Sequence, residues 1–243
     1  MRGVVACVAA AVIAAGTAYC SVETSFAQTA KDGETAQRFL FFSGVDLWSN
    51  GGFGHGGLLW SPAGLDHEGF TLKTLLGAGT YKYHTGATEV TGMQFLGAVM
   101  PGWRFKRDAF EVTAFLGLDV QNHRSRPDDA GNQLRGTHAG LRGGFDLWWE
   151  PSKTTMAAAS VSLSTVGSSY WTRSAYGWRV FDLIYLGPEA QALGNTTYHQ
   201  YRLGLHATAF KTGQFEWSAG AGFASDSDHR SGAYGRIGLL ARR

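Results

Sequence analysis

The chain has 243 residues, of which only 16% are charged, well below the roughly 25% typical of soluble domains. Glycine is abundant at 34 residues and aromatic residues reach 13%, whereas proline occurs only 5 times, so a disordered or collagen-like chain is excluded. The net charge is only +2 and the Lys and Arg residues are scattered along the sequence. Nucleic acid is therefore excluded as a partner.

The first predicted element is an export signal at residues 1–27. It has a positive start, an apolar and small-residue run at residues 4–18, and a small-x-small cleavage site at residues 25–27. Both cysteines fall inside this signal, so the mature chain would contain none. Residues 28–38 would then form a short N-terminal tail ahead of a single domain at residues 39–243.

The rest of the chain alternates between apolar and polar residues with a period of two, which is typical of β-strands. Between Phe110 and Val120, every even-numbered residue is apolar, whereas the odd-numbered residues are mostly small or polar. The same alternation predicts about twelve strands, at residues 39–48, 53–61, 69–82, 91–104, 109–121, 135–149, 154–164, 168–176, 178–187, 198–210, 214–225 and 231–241. Their spacing suits transmembrane strands of about 9–11 residues plus connectors.

The predicted connections alternate between short and long, as the two ends of an outer-membrane barrel require. Tight turns are predicted at residues 106–108, 151–153 and 211–213. Longer polar loops are predicted at residues 122–134, 187–197 and 225–231. The connection at residues 61–69 departs from this rule, because it is long where a tight turn is expected.

A soluble β-sandwich would produce the same alternation, since it also buries one face of each strand. However, the predicted strands exceed the usual length of about 5–6 residues, and charges are mixed with glycine opposite the apolar face. Tryptophans also gather near strand ends, as in the aromatic girdles of membrane barrels. They are Trp48, Trp60, Trp103, Trp148, Trp149, Trp171 and Trp178. We therefore predict an all-β, transmembrane, antiparallel up-and-down β-barrel of about twelve strands, surrounded by outer-membrane lipid.

The polar face of the predicted strands carries charges of both signs, which would face the lumen. The predicted lumen-facing set is Asp46, Lys73, Glu111, Asp119, Arg142, Asp146, Arg202, His206, Glu216 and Arg236. Inside a narrow barrel such charges should pair across the lumen rather than remain buried alone. This predicts a mostly filled interior or a narrow polar passage, and a groove that binds a polar polymer remains an alternative.

One catalytic arrangement is conceivable, because His206, Thr208 and Glu216 fall on the lumen face of adjacent predicted strands. Threonine is a rare nucleophile away from an N-terminus, and a polar lumen produces such combinations by chance. The 8 histidines show no metal-binding spacing. We predict no catalytic residue, no cofactor and no metal. A lipid- or polysaccharide-modifying hydrolase acting near His206 and a small passive pore are the alternatives.

Several glycine and aromatic motifs, taken together and in order, resemble the BcsS family of proteobacterial cellulose biosynthesis proteins. They are FSGVDLW at residues 42–48, GGLLWSPAGLDHEGF at 56–70, GAGTYKY at 77–83, PGWR at 101–104, LGPEA at 186–190 and YRLGLH at 201–206. The resemblance implies an exported, non-enzymatic outer-membrane component that accompanies a cellulose synthase and secretion system. Its expected role is to assist export or surface placement of cellulose, with cellulose and other secretion components as partners.

Overall fold

The computed structural model describes residues 37–243, which form twelve antiparallel strands closed into a barrel. Each strand pairs with its neighbours in sequence, and the last strand pairs with the first, from Leu40 opposite Arg242 to Trp48 opposite Tyr234. The fold class and the strand count are thereby confirmed. The predicted signal peptide and most of the predicted tail lie outside the described residues. Within residues 37–243, no helix has the length and apolar character needed to span a bilayer.

The strands vary in length from 10 to 20 residues. They are β1 (Phe39–Trp48), β2 (Gly51–Trp60), β3 (Gly69–Thr85), β4 (Thr88–Arg107), β5 (Phe110–Arg126), β6 (Gly136–Ser152), β7 (Thr155–Ser164), β8 (Ser169–Val180), β9 (Ile184–Gly194), β10 (His199–Thr212), β11 (Phe215–Asp226) and β12 (Ser231–Arg242). A short 3₁₀ turn at Val166–Ser168 joins β7 to β8. The barrel thus consists almost entirely of strands.

The alternation in the sequence becomes an apolar outside and a polar inside. On β5, Leu116 and Leu118 are 62% and 67% exposed on the outer face, whereas Glu111 and Asp119 are buried inside. Outward apolar side chains continue around the barrel. They include Val45, Leu76, Phe95, Val99, Leu141, Leu163, Leu203, Leu205, Phe223 and Ile237. A continuous apolar belt therefore surrounds a polar interior.

An aromatic girdle surrounds the end of the barrel at which β1 begins and β12 ends. Its exposed members are Phe70, Trp103, Phe105, Phe110, Trp149, Trp178, Phe210, Phe215 and Trp217. The assignment of Trp48, Trp148 and Trp171 to a girdle is wrong, because they are only 9%, 3% and 3% exposed and lie inside the barrel. Each is two residues from an inward charge on its own strand, so the period of two directs its side chain inward.

The predicted loop at residues 187–197 is also wrong, because residues 187–194 belong to β9. Gly187 and Pro188 resemble a turn in the sequence, yet they pair with His206 and Leu205 of β10. Gly187 is required by close strand contact, since a Cβ there would lie 2.0 Å from the carbonyl oxygen of Tyr176. The true connection to β10 is residues 195–198, and β8 joins β9 through residues 181–183.

At the end opposite the termini, the wall is higher on one side. Strands β3 to β6 have 17 to 20 residues, whereas β1 and β2 have 10. β2 pairs with β3 only as far as Tyr81, so the tip of the β3–β4 hairpin projects above the rim. The long β5–β6 connection, residues 127–135, lies at the same end. We call this end, with its connections, the mouth.

Candidate functional site

All ten side chains of the predicted lumen-facing set are buried inside the barrel, and none is more than 8% exposed. Ion pairs between strands that are not neighbours cross the lumen. Nη1 of Arg202 on β10 donates to Oδ1 of Asp46 on β1 at 2.9 Å, and Nζ of Lys73 on β3 donates to Oδ2 of Asp146 on β6 at 2.9 Å. Because each pair joins strands separated by two others, these bonds brace parts of the wall that are not hydrogen-bonded neighbours.

A second group of polar side chains surrounds Asp119 of β5. Nη2 of Arg142 donates to its Oδ2 at 2.9 Å, and the hydroxyl of Ser164 and Nε2 of Gln121 donate to the same oxygen at 2.5 and 2.7 Å. Asp119 is completely buried, and a buried carboxylate is stable only when such donors replace water. The sequence predicted Asp119 and Arg142 but not the neutral residues that complete the group.

Glu189 of β9 is the most connected charge in the interior. It accepts hydrogen bonds from Nη2 of Arg236 at 2.7 Å, from the Tyr234 hydroxyl at 2.8 Å and from Nε of Arg173 at 3.0 Å. Gly220 of β11 leaves the necessary space, because a Cβ there would lie 2.3 Å from Oε1 of Glu189. The Glu189 carboxylate therefore joins three strands, β8, β9 and β12. It occupies the space that Gly220 of β11 leaves open.

The lumen is blocked near the chain termini by the β2–β3 connection, residues 61–68. Leu65 is only 1% exposed, and its carbonyl oxygen accepts a hydrogen bond from Nη1 of Arg104. Nε of Arg104 in turn lies 3.0 Å from Oε1 of Glu111. Leu65 joins an interior apolar cluster with Leu40, Phe42, Phe53, Leu59, Leu75, Leu96, Ala98, Met100, Phe115 and Leu240. The unexpectedly long connection is thus a plug rather than a turn.

The conceivable catalytic group is enclosed by the barrel wall. Nδ1 of His206 lies 2.8 Å from Oγ1 of Thr208, and its Nε2 lies 3.2 Å from the backbone carbonyl oxygen of Tyr176. A carbonyl only accepts, so Nε2 carries a proton and donates it to the backbone. Thr208 is 1% exposed and Glu216 is 8% exposed, so both are shielded from substrate. Among residues 37–243, no group of three or more His, Asp or Glu is placed to hold a metal ion.

Sequence reasoning missed three of the interior charges, Arg104, Arg173 and Glu189. Arg104 and Arg173 lie inside predicted strands. Each is an even number of residues from a side chain that points inward, Met100 for Arg104 and Trp171 for Arg173, so it must point inward as well. Strict use of that parity would have found both. Glu189 was hidden by the wrong loop assignment, because the adjacent glycine and proline were interpreted as a turn.

A cavity of about 360 Å³ opens at the mouth, above the filled lumen. Tyr81 and Tyr83 of β3 line one side, with ring centroids 5.6 Å apart and planes inclined at 26°. Tyr198, from the β9–β10 connection, lines the cavity from the other side of the barrel. Asp129 and Asn132 of the β5–β6 connection add polar groups between them.

Hydrogen bonds between different connections hold this mouth in shape. Oδ2 of Asp129 accepts from the hydroxyls of Tyr83 and Thr85, both at 3.0 Å, and these bonds hold the pKa of Asp129 below its usual range. Arg230 lies in the β11–β12 connection, which is separated from β3 by the pairing of β12 with β1. Its Nη1 donates to the carbonyl oxygen of Lys82 at 2.7 Å. The lining is therefore largely preformed, which lowers the entropic cost of binding a ligand.

Several solved structures align with the chain at low sequence identity. The translocator domain of the autotransporter NalP from Neisseria meningitidis aligns with a TM-score of 0.49 and 11% identity, covering 87% of this chain and 90% of that one. A KdgM porin aligns at 0.46 and 10%, covering 83% and 98%. LpxR from Salmonella typhimurium aligns at 0.47 and 10%, covering 83% and 99%. No curated protein matches the chain.

These features define a closed twelve-stranded β-barrel with an apolar outer face, a charged and filled interior, and a structured mouth. Residues 40–243 match the family described as cellulose biosynthesis protein BcsS, and the chain belongs to that family. The resemblance identified from the glycine and aromatic motifs is confirmed. The protein is therefore associated with cellulose biosynthesis.

Proposed function

We propose that this protein is a non-enzymatic accessory component of cellulose biosynthesis that resides in the outer membrane and assists export or surface placement of cellulose. Membership of the BcsS family supports the link to cellulose. The observation that carries the proposed mode of action is the filled interior. Ion pairs cross the lumen and the β2–β3 connection plugs one end, so a polymer does not pass through this barrel. The protein acts on cellulose at its mouth, together with other secretion components.

The outer face supports placement in a lipid bilayer. The apolar belt would otherwise expose large side chains such as Leu116, Leu203 and Phe223 to water, which soluble proteins avoid over wide surfaces. The girdle at the end with the chain termini has the aromatic composition typical of a membrane interface. A bacterial barrel exported through a signal peptide would reside in the outer membrane, with both termini in the periplasm and the mouth at the cell surface.

This orientation predicts that Ala130, in the exposed β5–β6 connection, is reachable from outside intact cells. Cysteine introduced by Ala130→Cys should react fully with a membrane-impermeant thiol reagent, because the described chain contains no other cysteine. Cysteine introduced by Lys153→Cys, in the β6–β7 turn at the other end, is the matched control and should react only after lysis. The reverse pattern would invert the proposed orientation, and equal labelling of both would argue against a membrane barrel.

The interior also supports a non-catalytic role. His206 is oriented by a backbone carbonyl, and Thr208 is shielded from any substrate by the surrounding wall. The remaining interior charges are engaged in ion pairs that brace the barrel, including those of Asp46, Lys73 and Glu189. A passive pore would need an open polar channel through the same space. The interior is thus built for stability, which leaves the mouth as the surface available for function.

Deletion of the protein should lower cellulose at the cell surface several-fold and leave cellulose synthase activity in isolated inner membranes unchanged, because the barrel acts after polymerisation and in a different membrane. Surface cellulose would be measured by dye binding and as acid-insoluble glucan. A plasmid copy of the wild-type chain should restore it. Normal surface cellulose on deletion cells would refute the proposed role while leaving the fold assignment intact.

A further inference from the structure

We propose that the cavity at the mouth is a binding site for an uncharged glycan chain of the β-1,4-glucan class, with Tyr81 as its stacking platform. The proposal rests on the proposed function for the identity of the glycan. The chemistry of the cavity, however, stands on its own observations.

The first observation is the presentation of Tyr81. A Cβ added to Gly92 of β4 would lie 2.4 Å from Cζ of Tyr81 and 2.7 Å from two other ring carbons, so the ring lies flat over this glycine. Tyr81 also belongs to the lining of the cavity. A flat aromatic ring supported from behind is suited to stack against the apolar face of a pyranose ring, with little loss of side-chain entropy on binding.

The second observation is the placement of hydrogen-bonding groups around the rings. Asn132, Asn195 and Thr197 line the cavity, together with the hydroxyl groups of the tyrosines. These groups both donate and accept, which is what a ligand covered with hydroxyl groups requires. Burial raises the pKa of Tyr198, and the nearby charge of Asp226, to which the hydroxyl donates at 3.4 Å, raises it further.

The third observation is the charge of the lining, which selects against anionic ligands. Of the side chains that line the cavity, Asp129 and Asp228 are carboxylates, His84 is an imidazole, and none is Lys or Arg within the described part of the chain. Asp228 is paired with Arg230, whose Nη2 lies 2.8 Å from its Oδ2. A phosphorylated or uronic-acid polymer would meet two carboxylates and no Lys or Arg, whereas a neutral glucan is not repelled by the carboxylates.

The volume of the cavity fits this assignment as well. About 360 Å³ lies within the range of roughly 300–1,000 Å³ usual for small-ligand sites, and it suffices for a short segment of a glycan chain. The cavity opens away from the plugged lumen, so the rest of the chain would extend into the medium. The site would therefore hold a glucan at the cell surface rather than guide it through the barrel.

The test uses the purified barrel in detergent, titrated with cellohexaose by isothermal titration calorimetry. Saturable binding to the wild type is expected, with Tyr81→Ala weakening it about tenfold because the stacking face is lost. Tyr81→Phe should bind within about threefold of the wild type, since the ring remains. Tyr201→Ala removes a tyrosine that is 62% exposed and does not line the cavity, so it should leave affinity unchanged.

A second variant guards against misfolding of Tyr81→Ala. Gly92→Ala places a methyl group behind the ring, so it should displace the Tyr81 ring and weaken binding although every lining residue keeps its identity. Heat-modifiable migration on gels would verify that each variant is folded. An oligogalacturonate of the same length should bind at least tenfold more weakly than cellohexaose, because the lining carries two carboxylates and offers no Lys or Arg to those of the ligand.

Absence of saturable cellohexaose binding, equal binding by folded Tyr81→Ala, or equal affinity for the anionic oligomer would each overturn the proposed site. These failures are separable from failure of the proposed function. A deletion strain with low surface cellulose would keep the accessory role even if the cavity binds no glucan. A cavity that binds cellohexaose would stand as a glycan site even if deletion leaves cellulose unchanged.

Discussion

Replacing Glu189 with glutamine is expected to destabilise the barrel by about 3–5 kcal/mol, the cost typical of removing one partner from a buried ion pair. Glu189 lies between two buried guanidinium groups, with Arg236 Nη2 at 2.7 Å and Arg173 Nη2 at 3.0 Å from its Oε2. Glutamine keeps the size of the side chain but removes the carboxylate that both guanidinium groups share. The measurement is the urea concentration at which the heat-modifiable folded band is lost.

The matched control is Glu68→Gln, the same chemical change at an exposed position of the β2–β3 connection. It should alter stability by less than about 0.5 kcal/mol, as most surface substitutions do. Combining Glu189→Gln with Arg236→Gln should recover part of the loss, because one uncompensated charge is removed along with its partner. A Glu189→Gln barrel as stable as the Glu68→Gln barrel would show that water, not ion pairing, compensates these charges.

Placing arginine on the outer face at Leu116 is expected to destabilise the barrel by about 2–4 kcal/mol in lipid, as charges near the bilayer midplane do. Leu116 is 62% exposed and lies about midway between Phe110, in the girdle, and Val120, near the far limit of the apolar belt on β5. Leu116→Arg would be reconstituted in vesicles and unfolded with urea, with folding followed by gel mobility.

Leu183→Arg supplies the control for this second prediction. Leu183 is 68% exposed, but it lies in the β8–β9 turn beyond the end of the strands. The same substitution there should cost at most about 1 kcal/mol, since arginine near the interface reaches water. Equal costs for Leu116→Arg and Leu183→Arg would contradict the proposed position of the bilayer. In this way the belt is tested independently of the cellulose assignment.

The fold was largely predictable because its main determinant is local. Alternation such as that between Phe110 and Val120 states directly which side chains face the core and which face outward. The same rule placed Asp46, Arg142 and Arg236 inside. It failed where two local signals conflicted, as at Gly187 and Pro188, which have the composition of a turn but the position of a strand.

The mouth could not be predicted, because its geometry depends on contacts between distant parts of the sequence. Tyr83 meets Asp129 only because the β5–β6 connection folds back toward the β3–β4 hairpin. Lys82 meets Arg230 only because the barrel closes. Period-two patterns assign a side chain to a face, yet they carry no information on which connections meet at a rim. The partners of individual charges, such as Asp146 for Lys73, were unpredictable for the same reason.

The pairing of β1 with β12 makes the mouth dependent on completion of the whole chain. Leu40 and Arg242 are direct partners, so nearly the entire sequence must be in place before this last contact forms. Until then both edge strands carry unpaired backbone groups, which readily recruit other chains. The cavity at the mouth combines Tyr81, from the first third of the sequence, with Asp228, from its last hairpin. An intact cavity is therefore a property of the finished barrel alone, and occupancy by a ligand would report that assembly had been completed.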